Sequence, residues 1–279
     1  VLCKLVSRKA TVALSGDGGD ELFGGYNRYL IANTYWKYLN LFPSKLRKYL
    51  LYYFKTIGLE NLEKYLKVFG FPIFQLSNLN IYKVKRFLLS ESLIDFHDKM
   101  ISNYNEEDKF EFYKLKSSNF GNSINSMLLH DQINYLKDDI LTKVDRSSMY
   151  SSLEVRNPLL DKKLLEYSWR IPINKKIYGS KGKIILRNML KEFLPKKIIS
   201  KQKSGFGIPF REFLTVDLKD WVFKNIEFSK SSSLQQFSYL QLERSWNSYC
   251  SNKNSNTLSI WTKLVFYNWI EHYEKKIEW

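Results

Sequence analysis

The stretch from Thr11 to Tyr26, TVALSGDGGDELFGGY, constrains the fold of this 279-residue chain more than any other. An apolar, partly β-branched run from Thr11 to Leu14 feeds a loop containing Gly16, Gly18 and Gly19, and the loop opens into an amphipathic segment at Glu21. The pattern reads strand, tight loop, helix. Glycine lets the backbone take positive φ and approach a ligand without a Cβ in the way, and amides at the start of a following helix can face an anion. The loop also carries the carboxylates of Asp17, Asp20 and Glu21, which repel a bare phosphate. A divalent cation between carboxylates and phosphate oxygens removes the conflict, and Mg²⁺ favours a few carboxylates with phosphate and water. The competing structural reading is a surface turn in which Asp20 caps a helix.

Ser15 to Tyr26, SGDGGDELFGGY, resembles the second signature of the synthetase domain of glutamine-hydrolysing asparagine synthetases, where an acidic residue and glycines precede Asp-Glu and Phe-Gly-Gly-Tyr. Two further blocks follow in the same order. Leu141 to Asp161 is similar to the family's K-V-D-R-x-S-M and S-L-E-x-R-x-P-x-L-D. Gly182 to Pro209 carries K-x-x-L-R at Lys183 to Arg187, then Leu194-Pro195, then the basic loop IISKQKSGFGIP, in which Lys203, Gly205, Phe206 and Pro209 match. Lys201 stands where the family usually has arginine, and Asp17 where many relatives have glutamate.

The resemblance implies an ATP-dependent ligase. The carboxylate of aspartate attacks ATP to give an acyl-adenylate and pyrophosphate, and ammonia derived from glutamine displaces AMP. ATP and Mg²⁺ are the implied cofactors. Ser15, Gly16, Asp17, Gly18, Asp20 and Lys203 are the implied nucleotide-binding positions, with Asp17 and Asp20 facing the metal. Asp17 and Lys203 are the implied catalytic residues, the lysine neutralising charge that develops on the phosphates. Arg156 is expected to hold the substrate or another anionic group near the cleft. The complete domain is implied to be α/β, adenine-nucleotide alpha-hydrolase-like. Residues 1–279 would be its C-terminal part, mostly helical with one or few parallel strands. The family's SGGxDS nucleotide loop and glutaminase cysteine are expected upstream, so this portion alone is expected to be inactive; a homodimer is a possible assembly. Two alternatives stay open: amidation or cyclisation of another carboxylic acid on the same fold, and a catalytically inactive, basic helical protein that binds nucleic acid.

On the residues alone, Asp145, Arg146, Glu154 and Arg156 alternate in sign and can pair within the fold, and a structural role is favoured for Asp145, Glu154 and Asp161. Arg146 and Arg156 are the better functional candidates, because a guanidinium fork binds carboxylate or phosphate bidentately. The loop around Lys203 has the basic, glycine-containing character of segments that close over phosphates.

A net charge of +16 attracts anions, whether nucleic acid, a membrane surface or nucleotide phosphates. The absence of an arginine-aromatic recognition module makes nucleic acid the less expected partner. Cys3 and Cys250 lie at opposite ends with no CxxC pair, which fits a reducing cytoplasm. His97, His130 and His272 lack metal-ligand spacing, so no zinc site is expected, and His97 reads as a partly solvated helix residue. No apolar run is long enough to span a membrane. Helical patterns cover Leu2 to Arg8, Glu21 to Leu41, Lys45 to Ile57, Leu59 to Phe69, Leu93 to Met100, Phe110 to Leu141, Leu234 to Tyr249 and Thr257 to Lys276. In the last of these, Trp261, Phe266 and Trp269 read as core anchors.

Overall fold

Val12–Leu14 form strand β1 and pair in parallel with strand β2, Glu154–Arg156, in the register Val12↔Glu154, Ala13↔Val155 and Leu14↔Arg156. The strand predicted from the apolar run is therefore present, and parallel. Parallel neighbours require a long crossover, which here contains the described helices from Gly19–Phe23 to Thr142–Met149. In each strand the central residue is half-buried between two exposed ones, the period-two alternation of a strand with one covered face.

The computed structural model describes residues 1–43, 45–47, 49, 52, 88–101, 123–199, 209–231, 239–251 and 257–274. The helical pattern at 59–69, most of that at 45–57, and the loop carrying Lys201 and Lys203 lie outside the described residues. Those described are mostly helical and fall into two compact units, one within 1–101 and 123–199, the other within 209–274.

In the first unit, helices Leu2–Val6, Gly19–Phe23, Asn27–Leu39 and Leu93–Ile101 are followed by a continuous helical run. That run comprises Ile124–His130, a π-helical stretch Asp131–Leu141, and Thr142–Met149. Ser123 starts it, its hydroxyl accepting from the Ser126 amide at 3.3 Å. The single helix expected from Glu21 to Leu41 is instead two. The first stops at Gly24, a left-handed C-cap with φ 71°, the helix ending that glycine supplies most readily. After β2 come a 3₁₀ turn, Pro158–Leu160, and helices Lys162–Arg170, Ile173–Lys176, Ile184–Leu190 and Lys196–Ile199.

Among the described residues, two cores hold this unit. Tyr29, Ile31 and Trp36 of the Asn27–Leu39 helix pack with Leu93 and Phe96 and with Met127 and Leu128. Leu22 and Phe23 pack with Ile171, Leu164 and Leu186, which seats the short helix that follows the glycine loop. Each such side chain contributes about 1.5–3 kcal/mol of burial, more than a five-residue helix could supply on its own.

The second unit contains Phe210–Glu212, a π-helical turn Phe213–Asp217, and helices Lys219–Ser231, Tyr239–Ser251 and Thr257–Glu274 around Leu214, Val222, Leu242 and Leu264. Trp261 and Phe266 pack against this core, as expected. Trp269 does not: the buried stripe runs through Ile260, Leu264, Tyr267 and Ile270, and Trp269 falls on its flank, 54% exposed. No described helix is long and apolar enough to cross a membrane.

Candidate active site

The loop after β1 is held by its own side chains. Ser15 Oγ donates to Asp17 Oδ2 at 2.7 Å, and the Ser15 amide donates to the Arg156 carbonyl at 2.9 Å, which continues the two-stranded ladder into the loop. Gly18 is the N-cap of the next helix with φ 87°, a left-handed conformation that demands glycine. The Gly19 amide is turned onto the Gly16 carbonyl at 3.2 Å, whereas Gly16 itself is exposed, with open space where a Cβ would stand.

Asp20 does not cap the helix, since Gly18 occupies that position; it lies in the first turn, partly buried, with Oδ1 3.0 Å from Lys183 Nζ. A Cβ at Gly25 would lie 1.8 Å from Asp20 Oδ1 and 2.3 Å from Lys183 Cε, so glycine leaves the volume this ion pair occupies. Lys183 lies just outside the Ile184–Leu190 helix as its N-cap, left-handed at φ 56°, and its amide donates to the Phe23 carbonyl at 3.1 Å. Strained non-glycine backbone of this kind persists where the surroundings over-determine it; here it sets the lysine against the helix that follows the glycine loop. The sequence spacing does not disclose the pairing of Lys183 with Asp20.

The third block is tied down by Arg187, whose Nε donates to the Gly182 carbonyl at 2.9 Å and whose Nη1 donates to the Ile199 carbonyl. Lys203, the second expected catalytic residue, lies outside the described residues.

Arg156 ends β2 with its backbone against the loop, but its side chain is exposed and donates from Nε to Glu154 Oε1 at 2.6 Å. Glu154 thus forms the structural pair expected of it. Asp161 is likewise structural: its Oδ1 accepts from the amides of Lys163 and Leu164 at 2.9 and 3.2 Å and caps the Lys162–Arg170 helix.

Behind the loop lies a buried polar network that sequence reasoning missed. Glu21, grouped above with the loop carboxylates, turns inward, accepts from the Tyr26 hydroxyl, and has its carboxyl pushed up by burial. Asp131 is fully buried among Arg28 Nη2 at 2.8 Å, His97 Nε2 at 3.0 Å and the Tyr29 hydroxyl. Burial works to raise its carboxyl, and His97 and Arg28 outweigh that and hold it low. His97, read above as partly solvated, is 0% exposed. Burial alone would lower its pKa, and the carboxylates of Asp131 and Asp98 reverse the sign. His130, scattered from His97 in sequence, has its ring centroid 4.8 Å away. The only sequence signal for this cluster is the His-Asp-Gln triplet His130 to Gln132, placed inside a helical pattern where polar residues are uncommon on a buried face.

The carboxylates of Asp17 and Asp20, both partly exposed, are hard oxygen donors of the type Mg²⁺ takes.

The family model described as asparagine synthase matches residues 1–271. The chain is 31% identical over 269 residues to asparagine synthetase [glutamine-hydrolyzing] 1 of Bacillus subtilis (strain 168), which covers 96% of this chain and 41% of the relative. It is 27% identical over 235 residues to asparagine synthetase [glutamine-hydrolyzing] 3 of the same organism, covering 83% of this chain and 32% of the relative. It is 29% identical over 147 residues to a putative asparagine synthetase [glutamine-hydrolyzing] of Mycobacterium tuberculosis (strain ATCC 25618 / H37Rv), covering 51% of this chain and 22% of the relative. The chain thus spans less than half the length of these relatives. No solved structure matches it at a significant level.

Proposed function

The chain belongs to the asparagine synthase family, and from that premise we propose that it forms the C-terminal part of the synthetase domain of an ATP-dependent ligase that converts aspartate to asparagine with glutamine-derived ammonia. The observation that carries this is the loop at the C-terminal end of β1, where Asp17 and the Asp20–Lys183 pair stand outside the carboxyl end of a parallel strand, the usual place for ligands in open α/β sheets. The complete domain would be adenine-nucleotide alpha-hydrolase-like. The exposed apolar residues Val12 and Leu14, the latter 74% exposed, suit a sheet that continues with further cover.

A carboxylate is unreactive toward ammonia until its oxygen becomes part of a good leaving group, which adenylation achieves. Mg²⁺, when bound by Asp17 and Asp20, would supply charge stabilisation on pyrophosphate oxygens. Lys183 would set the local charge by neutralising Asp20, and Ser15 would fix the Asp17 carboxylate through its hydrogen bond. Lys203 follows Ile199 by four residues, a reach of about 14 Å in extended chain. Because Arg187 ties Ile199 to Gly182, beside Lys183, that reach supports Lys203 acting on the same phosphates. Arg156 would then present its fork to an anionic substrate group by exchanging Glu154 for the ligand. The relatives' names favour neither a different carboxylic acid nor nucleic-acid binding, and the free thiols of Cys3 and Cys250 suit a cytoplasmic protein.

The test is ATP-pyrophosphate exchange in the enzyme with its upstream portion present. Lys203→Ala and Asp17→Asn should each reduce aspartate-dependent exchange by about a hundredfold or more, equivalent to roughly 2.7 kcal/mol, while glutamine hydrolysis persists. Exchange at the unsubstituted rate in both variants would overturn the site assignment.

A further inference from the structure

His97 and Asp98 on the Leu93–Ile101 helix and His130 at the end of the Ile124–His130 helix bring three metal-ligand side chains to one place. One ligand atom from each lies within 4.8 Å of the others. Asp98 Oδ1 is 3.6 Å from His97 Nδ1 and 3.5 Å from His130 Nε2. These separations are too long for hydrogen bonds, and they lie close to the ligand-to-ligand edge of about 3.4 Å that a tetrahedron with 2.0–2.1 Å metal bonds requires. His97 Nδ1 is buried with no hydrogen-bond partner and is aimed at this gap. Such an orphaned nitrogen costs stability unless something binds it.

We propose that His97 Nδ1, His130 Nε2 and Asp98 Oδ1 bind a borderline divalent transition metal of the zinc class, with the fourth position open to water on the side of Asp98, which is 45% exposed. Two imidazoles and one carboxylate select such an ion over Mg²⁺ or Ca²⁺, which take oxygen sets. Support behind the ligands is already built. His97 Nε2 faces Asp131 at 3.0 Å, and Asp131 is anchored by Arg28 at 2.8 Å. A carboxylate behind a ligating histidine fixes the ring orientation and leaves the other nitrogen for the metal. The ion would clamp two helices that line the same core, a structural role separate from the proposed ligase chemistry.

The purified, chelator-treated protein is titrated with Co²⁺, whose visible absorption reports tetrahedral coordination, and then with Zn²⁺ while the melting temperature is followed. The expected result is one Co²⁺ per chain with a tetrahedral spectrum, displaced by Zn²⁺, and a Tm that rises with Zn²⁺. Asp98→Asn, at a side chain that is 45% exposed, should weaken binding at least tenfold with the helical circular dichroism retained, and His130→Ala should abolish it. Asp17→Asn should leave it unchanged. Absence of stoichiometric binding, binding indifferent to Asp98→Asn and His130→Ala, or binding lost with Asp17→Asn would each overturn the proposal.

Discussion

Lys183 Nζ stands 3.0 Å from Asp20 Oδ1, and the pair is seated against Gly25, where a Cβ would lie 1.8 Å from that same oxygen. The first and third sequence blocks, distant along the chain, meet at this ion pair and at the hydrogen bond from the Lys183 amide to the Phe23 carbonyl. Gly25→Ala must displace Asp20 or Lys183 to admit its methyl group. The expected outcome is a loss of at least tenfold in ATP-pyrophosphate exchange, about 1.4 kcal/mol, with the helical circular dichroism retained. Exchange at the original rate would show that the pair has no part in the chemistry.

Arg156 and Glu154 are both exposed, so their pairing adds little to stability. Arg156→Lys keeps the charge and removes the fork, and should raise the KM for aspartate or weaken pyrophosphate binding while leaving Tm where it was. Lowered Tm with unaltered kinetics would assign Arg156 to the scaffold.

Asp131→Asn removes the carboxylate that Arg28 and His97 face inside the protein. Breaking a buried pair leaves an uncompensated charge and costs about 3–5 kcal/mol. The urea midpoint should fall accordingly, whereas Asp138→Asn, eight residues from His130 on the exposed side of the same helical run, should leave it unchanged.

Lys176 is buried, with Nζ 5.3 Å from the Trp169 ring centroid, and burial pulls its pKa from 10.5 down to about 8. Below pH 8 the ammonium is charged in both states and its burial cost is fully present. Between about pH 8 and 10.5 the unfolded chain holds a proton that the folded chain has lost, so stability rises with pH across that window. A shift of this size corresponds to at most about 3.4 kcal/mol. Above pH 10 the buried Tyr267, pushed up to about 12, works in the opposite direction. Lys176→Met should therefore stabilise the protein at pH 7 and flatten the rise between pH 8 and 10, measured by urea unfolding at each pH.

Much of the loop was legible because its determinants are local. The apolar run from Thr11 to Leu14 has no competing helical period, and Gly18 takes the positive φ that a strand-to-helix turn in so few residues needs. Asp161, for which a structural role was expected, serves that role as the N-cap of the Lys162–Arg170 helix, which the sequence reading did not name. The break at Gly24 was available in the glycine pair, but the aromatic periodicity on both sides concealed it. Burial along the Thr257–Glu274 helix was misjudged at Trp269, because composition shows how many aromatics a helix has and not which side its neighbours cover.

The sequence by itself determined the strand after Thr11, the glycine loop, the order of the three blocks and the family, all of them consequences of residue type within a short span or of motif order. Tertiary structure alone decided that Asp20 meets Lys183, that Glu21 turns inward, and that His97 and His130 share a buried pocket with Asp131 and Asp98. The histidine cluster draws its members from different helices. Their meeting depends on how the apolar faces of Asn27–Leu39, Leu93–Ile101 and Ile124–His130 pack against one another, and once packing removes water, a carboxylate or imidazole takes whatever charge or hydrogen-bonding group the packing has placed beside it.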